Sequence, residues 1–344
     1  MLIIRTPFRI SFFGGGTDYP VWYKKNGGAV LGTTIDKYCY ITCRYLPPFF
    51  EHKHRIVYSL AELVQDIDEI RHPSVRETLK FMGITEGVEI HHDGDLPART
   101  GLGSSSAFTV GLLHGLYALK GVMPTKMQLA KDAIYVEQEL IRENVGSQDQ
   151  TLAAFGGLKH IYFTGEHDVQ VEPVIMKPGR LESFQNHLML FFTGFSRTAS
   201  QIAEEQIKET PRKNKELNEM YRMVDVAIDV LNGDDDICSF GELLHQSWQL
   251  KRSLSSKIST PYIDYLYDTA IKAGATGGKI LGAGGGGFLL LFVKPELQDK
   301  VRESVPGLLR VPFKFENSGS QIIFYETDTQ YSGVPTEEVL CPKL

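Results

Sequence analysis

Apolar residues in the first hundred positions come in short runs rather than in long stretches. The runs are rich in β-branched and aromatic residues, and Gly, Pro or charged residues bound them, which is typical of strands. Glycine clusters at 14–16 and 27–28 lie between the runs and favour tight turns. The pattern predicts strands at 2–4, 29–35, 38–45 and 55–60.

The spacing of apolar positions changes after residue 104. Apolar residues recur at helical spacing at positions 108, 112, 116 and 119, and again at 129, 134, 136 and 140. This periodicity predicts one helix at 104–120 and a second over about 129–140. Two further apolar runs predict strands at 158–163 and 188–192.

The second half of the chain is richer in predicted helices. A polar, Lys- and Glu-rich region predicts helical structure at 200–231, and another helix is expected at 237–253. A glycine-rich segment at 277–287 runs directly into an apolar strand at 288–293. A stretch with Pro and charged residues around 173–180 suggests two domains, residues 1–178 and 179–344. Because strands and helices are mixed without regular alternation, we expect an α+β fold.

Composition narrows the class of protein. The 344 residues are 42% hydrophobic and 23% charged, with a formal net charge of −6, which indicates a folded globular chain without a basic field for nucleic acid or an anionic membrane. No apolar run is long enough for a membrane span, and no leader precedes a small-residue cleavage site. The four cysteines fit reduced thiols. These features predict a cytoplasmic protein.

The segment from Leu96 to Ala107 carries the strongest chemical signal. It is a Gly- and Ser-rich turn that leads into the helix predicted at 104–120. Successive backbone N–H groups at such a turn converge on phosphate oxygens, aided by the partial positive charge of the helix N-terminus. The Gly-Lys-Ser/Thr ending of a Walker A loop is absent. The candidate nucleotide-binding residues are Pro97, Gly101, Leu102, Gly103, Ser104, Ser105, Ser106 and Ala107.

With two other segments, this loop resembles the GHMP small-molecule kinases, a family that includes galacto-, homoserine, mevalonate and phosphomevalonate kinases. The segments are 5–20, which reads RTPFRISFFGGGTDYP, then 97–107, then 277–288, in the family's order and spacing. The resemblance implies a two-domain α+β fold with a β-rich N-terminal domain, ATP bound at 97–107, Mg²⁺ as the counter-ion of the phosphates, and phosphoryl transfer to a substrate hydroxyl.

The resemblance also assigns two catalytic residues. Asp149, in the sequence Val-Gly-Ser-Gln-Asp-Gln at 145–150, matches the aspartate that the sugar-kinase branch places beside the acceptor hydroxyl. Its expected role is to accept or orient the hydroxyl proton. Arg9 matches an arginine of the first motif that lies near that aspartate. It is expected to keep Asp149 ionised and to stabilise developing negative charge.

Magnesium requires few protein oxygens when phosphates and water complete its coordination shell. By resemblance, Ser105 supplies a hydroxyl and a helix glutamate supplies a carboxylate. Glu137 lies twelve residues before Asp149, which is the galactokinase-like spacing. Glu139 is the alternative.

The first of these segments, 5–20, which we call the first motif, bears on the choice of substrate. Galactokinases read Gly-Glu-His-Thr-Asp where this chain reads Gly-Gly-Gly-Thr-Asp at 14–18, a form similar to the branch of heptose 7-phosphate kinases and the fucokinase half of bifunctional enzymes. A chain of this length, without a pyrophosphorylase domain, favours the heptose kinase over the bifunctional enzymes. The expected substrate is then a small-molecule sugar phosphate, D-glycero-D-manno-heptose 7-phosphate. It would be phosphorylated at C1 for the synthesis of nucleotide-activated heptose. The candidate substrate-binding residues are Gly15, Gly16, Thr17, Asp18, Asp149 and Arg197.

Several alternatives stay open at this point. Lys251, Arg252 and the basic cluster at 52–55 are further candidates for holding the phosphate of the substrate. A fucokinase-like 1-kinase for an unphosphorylated sugar is the alternative activity, and a ligand sensor that binds ATP and sugar without catalysis is the alternative class. A homodimer is the candidate assembly.

Overall fold

The computed structural model describes residues 1–165, 168–194 and 199–326. Their strands form one nine-stranded and one four-stranded sheet. The first sheet contains β1 (Leu2–Phe13), β2 (Gly28–Tyr45), β3 (His54–Val57), β4 (Ala61–Val64), β5 (Val88–Gly94), β6 (Lys159–Thr164), β7 (Asp168–Pro173), β12 (Phe315–Glu316) and β13 (Gln321–Tyr325). The second contains β8 (Leu188–Gly194), β9 (Ala275–Ile280), β10 (Gly287–Val293) and β11 (Leu309–Arg310).

Eleven α-helices among these residues connect or cover the sheets. They are α1 (Pro20–Asn26), α2 (Pro73–Phe81), α3 (Ser104–Leu119), α4 (Lys126–Tyr135), α5 (Gln148–Phe155), α6 (Pro178–Asn186), α7 (Ala199–Glu209), α8 (Asn214–Asn232), α9 (Cys238–Leu254), α10 (Pro261–Ala273) and α11 (Gln298–Ser304). A π-helical turn, Val136–Leu140, follows α4 directly, and short 3₁₀ segments lie at Ile67–Glu69, Thr210–Arg212 and Pro295–Leu297.

Strand β2 organises the first sheet. One of its edges pairs with β1, and the other pairs in turn with β6, β12 and β5. The strands predicted at 29–35 and 38–45 are one continuous strand, whose register against β1 shifts between Pro7 and Phe8. Because β12 and β13 pair with β2 and β1, the last described strands of the chain lie in the same sheet as the first.

Helix α3 packs on β1 and β2 at the centre of the molecule. Eleven of its sixteen residues are buried, so its apolar positions are not confined to one face. At Gly115, an added Cβ would lie 2.7 Å from Ile4 Cδ1 and 2.8 Å from Cys43 Sγ. The glycine therefore lets the helix approach the sheet closely, which fixes the start of α3 relative to β1.

Most predicted elements are confirmed, including the α+β class and the helix at 104–120. The strand predicted at 55–60 is present but ends at Val57, because residues 58–60 form the turn of a hairpin between β3 and β4. The helical region predicted at 200–231 is interrupted at Pro211, which cannot donate a backbone hydrogen bond. The sequence patterns missed α1, α2 and α10, each of which begins at a proline. Within the described part of the chain, no helix has the length and apolar character needed to cross a membrane.

Candidate active site

The loop before α3 has the form of an anion-binding site. Gly101 and Gly103 have positive φ angles of 88° and 73°, which glycine adopts without strain. The N-cap position of α3 carries no side-chain cap, so the first N–H groups of the helix are not satisfied in that way. The Ser104 hydroxyl accepts a hydrogen bond from the Arg99 backbone N–H at 3.1 Å, which holds the loop closed. The loop and the helix N-terminus can therefore bind phosphate oxygens.

Arg9 and Asp149 form a two-point ion pair beside this loop. Arg9 Nε donates to Asp149 Oδ1 at 2.7 Å, and Nη2 donates to Oδ2 at 2.6 Å. The third guanidinium nitrogen, Nη1, donates to the Gly101 carbonyl at 2.5 Å. A Cβ added at Gly103 would lie 3.0 Å from Arg9 Cγ and 3.4 Å from Asp149 Oδ2. The aspartate thus lies against the loop, and its orientation is set by the arginine.

The first motif folds into a tight turn against the segment that carries Asp149. Asp18, 2% exposed, accepts hydrogen bonds from the backbone N–H groups of Gly16 and Gln148 at 2.9 and 3.4 Å. Burial raises the pKa of Asp18, and the negative charge of Asp149 raises it further. A Cβ on Gly146 would come within 1.9 Å of Asp18 Oδ2. Only glycine fits there, so the turn that carries Asp18 packs closely against the segment that carries Asp149.

Polar atoms without partners line the same turn. A Cβ added at Gly15 would lie 3.7 Å from both Ser11 Oγ and Gln148 Nε2. Ser11 Oγ and Gln148 Oε1 are both buried and lack a hydrogen-bond partner among the described residues. Since unpaired buried polar groups are costly, these atoms are available to a polar molecule bound at the turn.

A buried carboxylate lies behind the start of α3. Glu137, fully buried in the π-helical turn, accepts hydrogen bonds from the Ser106 hydroxyl at 2.8 Å and from the Gln150 amide. Burial raises the pKa of Glu137 to about 7, against the lowering effect of the neighbouring hydroxyl and amide groups. The hydroxyl that contacts Glu137 is therefore that of Ser106, whereas the predicted Ser105 is exposed. The alternative carboxylate, Glu139, is exposed as well.

The donor set at Glu137 fits a magnesium ion. Glu137 Oε1 is buried and has no hydrogen-bond partner among the described residues, and a hard cation would both satisfy it and favour its ionised form. No group of three or more His, Cys, Asp or Glu side chains in the described ranges could hold a metal ion by itself. Such an ion would depend on phosphate oxygens and water for the rest of its ligands.

The glycine-rich segment at 277–287 packs directly on the loop at 97–107, which we call the phosphate loop. A Cβ at Gly282 would lie 2.5 Å from Gly101 Cα, and one at Gly287 would lie 2.2 Å from the Thr100 carbonyl oxygen. Glycine is therefore required on this surface for steric reasons. The segment also brings in Lys279, while α9 brings in Lys251.

The structure brings most of the predicted site residues together. Arg9, Asp18 and Asp149 meet at the phosphate loop, whereas Arg252 is engaged on the surface with Asp264 at 3.0 Å. Arg197 lies outside the described residues. Sequence reasoning missed the contact of Ser106 with Glu137 and the presence of Lys279. The available signal was a lysine inside an otherwise small and apolar glycine-rich segment.

Comparison with known proteins shows the family to which the chain belongs. The family model of the GHMP kinases N terminal domain matches residues 62–157, and that of the GHMP kinases C terminal matches residues 228–310. A D-glycero-alpha-D-manno-heptose 7-phosphate kinase of Campylobacter jejuni is 28% identical over 85% of this chain and 89% of that protein. A bifunctional fucokinase/GDP-fucose pyrophosphorylase of Arabidopsis thaliana is 24% identical over 87% of this chain, which spans 31% of that protein.

Solved structures show the same fold. A D-glycero-D-manno-heptose 1-phosphate kinase from Bacteroides thetaiotaomicron superposes with a TM-score of 0.70 at 21% identity, over 95% of this chain and 100% of the other. A Lactococcus lactis galactokinase complexed with galactose gives a TM-score of 0.72 at 19% identity, over 93% and 94% of the two chains. With a matched family model in each half of the chain and a phosphate loop beside a paired aspartate, this protein belongs to the GHMP kinase family and is an ATP-dependent phosphotransferase.

Proposed function

We propose that this kinase phosphorylates the anomeric C1 hydroxyl of D-glycero-D-manno-heptose 7-phosphate to give the 1,7-bisphosphate. The observation that carries the phosphoryl-transfer chemistry is the Arg9–Asp149 pair, whose carboxylate lies against Gly103 of the phosphate loop. The similarity to the Campylobacter heptose 7-phosphate kinase, which extends over most of both chains, supports the choice of acceptor.

The proposed mechanism relies on positioning and on one proton acceptor. The N–H groups of the loop and of the start of α3 bind the ATP phosphates. Asp149, held by Arg9, accepts the proton of the C1 hydroxyl. The hydroxyl oxygen forms a bond to the γ-phosphorus while the bond to the β,γ-bridging oxygen breaks, and ADP leaves. Ser106 and Glu137 would hold Mg²⁺, which neutralises phosphate charge when bound.

The polar groups around Asp18 are suited to a polyhydroxylated molecule. Asp18 has a buried carboxylate, and Ser11 and Gln148 each present a buried polar atom that lacks a partner among the described residues. Sugar hydroxyls both donate and accept hydrogen bonds, so they can satisfy a carboxylate, a hydroxyl and an amide carbonyl together. This inventory of polar groups favours a sugar over an apolar alcohol.

A substrate panel tests the proposal. ATP consumption would be measured with heptose 7-phosphate, heptose, fucose, galactose and mannose, and kcat/KM compared. We expect heptose 7-phosphate to have the highest kcat/KM. A clear preference for fucose would replace the proposal with a fucokinase-like activity, in line with the Arabidopsis relative. Binding of ATP and sugar without turnover of any of them would indicate a non-catalytic sensor.

A further inference from the structure

Two lysines of the second half of the chain are buried where the sheets meet the active site. Lys251 is 5% exposed and Lys279 is 4% exposed. Lysine is almost never fully buried without a partner, because removing an ammonium group from water is costly. Neither ammonium group forms an ion pair with a described residue. Other basic side chains in the described chain, in contrast, form ion pairs with carboxylates within 4.0 Å. Their burial therefore needs an explanation.

Each ammonium group uses one of its three donors. Lys251 Nζ donates to the Gly282 carbonyl at 2.5 Å, and Lys279 Nζ donates to the Phe12 carbonyl at 2.9 Å. No other hydrogen bond is formed by either group with a described residue. Two N–H donors therefore remain on each lysine, and both lysines carry more donor capacity than the protein satisfies.

The two lysines belong to the active site and not to a separate surface. Gly282, which accepts from Lys251, packs on Gly101, and Gly101 accepts from Arg9. Phe12, which accepts from Lys279, lies on the same strand as Arg9. The charges of Arg9 and Asp18 act on both lysines.

Basic side chains outnumber carboxylates in this buried cluster. Arg9 is matched by Asp149 through the two-point ion pair. That leaves the two lysines against the single carboxylate of Asp18, which itself accepts hydrogen bonds from backbone N–H groups. Burial lowers the pKa of both lysines, as expected for ammonium groups that lack enough anionic partners. An anionic group bound here would restore the balance.

The loop and the start of α3 offer their own N–H donors to the phosphates of ATP, and the two lysines add donors for a second anion. Resting on the proposed function, we infer that Lys251 and Lys279 form the subsite for the phosphate group that the acceptor sugar already carries. Two charge-assisted contacts suit a phosphate dianion. The subsite gives the enzyme a way to select a phosphorylated sugar over the free sugar.

The test compares two acceptors across four proteins. kcat/KM would be measured for heptose 7-phosphate and for heptose with the wild type, Lys251→Met, Lys279→Met and the control Lys272→Met, an exposed lysine on α10. Methionine keeps the length of the side chain and removes the charge. We expect each buried-site variant to lose about 10- to 100-fold in kcat/KM with heptose 7-phosphate and clearly less with heptose, and the control to change neither value.

Three outcomes would overturn the inference. If both variants retain the wild-type preference for heptose 7-phosphate, the lysines do not contact that phosphate. If they lose activity equally with both acceptors, they act on the transferring phosphoryl group. If the wild type shows no preference for the phosphorylated sugar, the proposed function fails first and the subsite falls with it.

Two further measurements would separate misfolding from loss of the subsite. They are the thermal unfolding of each variant and the inhibition constant of inorganic phosphate against heptose 7-phosphate. A folded Lys251→Met variant should bind inorganic phosphate more weakly.

Discussion

Arg9 and Asp149, which are 140 positions apart in the chain, face each other with both carboxylate oxygens in contact with the guanidinium group. The arginine comes from β1 and the aspartate from the first turn of α5. A two-point contact fixes the plane of the carboxylate as well as its position. The pair therefore holds the carboxylate of Asp149 at a defined place beside the loop at 97–107.

Replacing Asp149 with Asn should abolish most of the turnover while ATP binding is retained. The amide keeps the shape of the side chain but cannot accept the proton, and general-base catalysis contributes about 10²- to 10⁴-fold in rate. Steady-state kcat and equilibrium ATP binding would be measured, with Asp229→Asn on the exposed side of α8 as the control. A variant at Asp149 that keeps more than about a tenth of the wild-type kcat would show that this residue is not the base.

The two candidate metal-binding carboxylates, Glu137 and Glu139, can be distinguished by magnesium titration. Glu137 is buried against Ser106, whereas Glu139 is exposed. We expect Glu137→Gln to raise the Mg²⁺ concentration needed for half-maximal activity, since it removes an anionic oxygen ligand. Glu139→Gln is the matched control and should titrate as the wild type does. The reverse result would place the metal ligand at Glu139.

The neighbouring serines give an equally direct comparison. Ser106 donates to Glu137 at 2.8 Å and is 3% exposed, while Ser105 is exposed one residue away. Ser106→Ala should therefore increase the Mg²⁺ requirement and Ser105→Ala should change it less. If only the change at Ser105 alters the Mg²⁺ titration, the assignment of Ser105 from the family resemblance is the better one.

Sequence patterns predicted site residues that are adjacent in the chain better than contacts between residues that only the fold brings together. The loop at 97–107 could be identified because glycines and serines before a helix carry their function in adjacent residues. The pairing of Arg9 with Asp149 was expected from resemblance alone, since no local pattern joins residues so far apart.

The contacts that sequence analysis missed depend on side-chain direction. Ser105 and Ser106 are adjacent and chemically identical, but they point about 100° apart around the first turn of α3, so only one can face Glu137. Lys279 is buried with its ammonium group donating to the Phe12 carbonyl of β1, a contact between two sheets that residue spacing does not contain. Three helices that begin at a proline were missed, although proline is well suited to a first helical position.

Acceptor affinity should depend on the ionisation of Lys251. Burial lowers the pKa of Lys251 to about 8, the positive charge of Arg9 lowers it as well, and Asp18 and Asp149 act in the opposite direction. The ammonium form predominates below that pH and is lost above it. If the lysine contacts the sugar phosphate, kcat/KM for heptose 7-phosphate should fall as the pH rises through about 8, because kcat/KM reports on groups of the free enzyme.

Two comparisons isolate this effect from other titrating groups. The same pH profile measured with unphosphorylated heptose should lack the decline, and so should the profile of Lys251→Met with heptose 7-phosphate. A decline that persists unchanged in the methionine variant would assign it to another group.

Phosphorus NMR of the reaction product tests the central claim most directly. Heptose 7-phosphate would be incubated with ATP, Mg²⁺ and the wild-type enzyme, and the new phosphoryl signal examined for coupling to the anomeric proton. We predict ADP and a sugar with two phosphate signals, one of them coupled to the proton on C1. A product phosphorylated at any other position, or hydrolysis of ATP without a new sugar phosphate signal, would contradict the account.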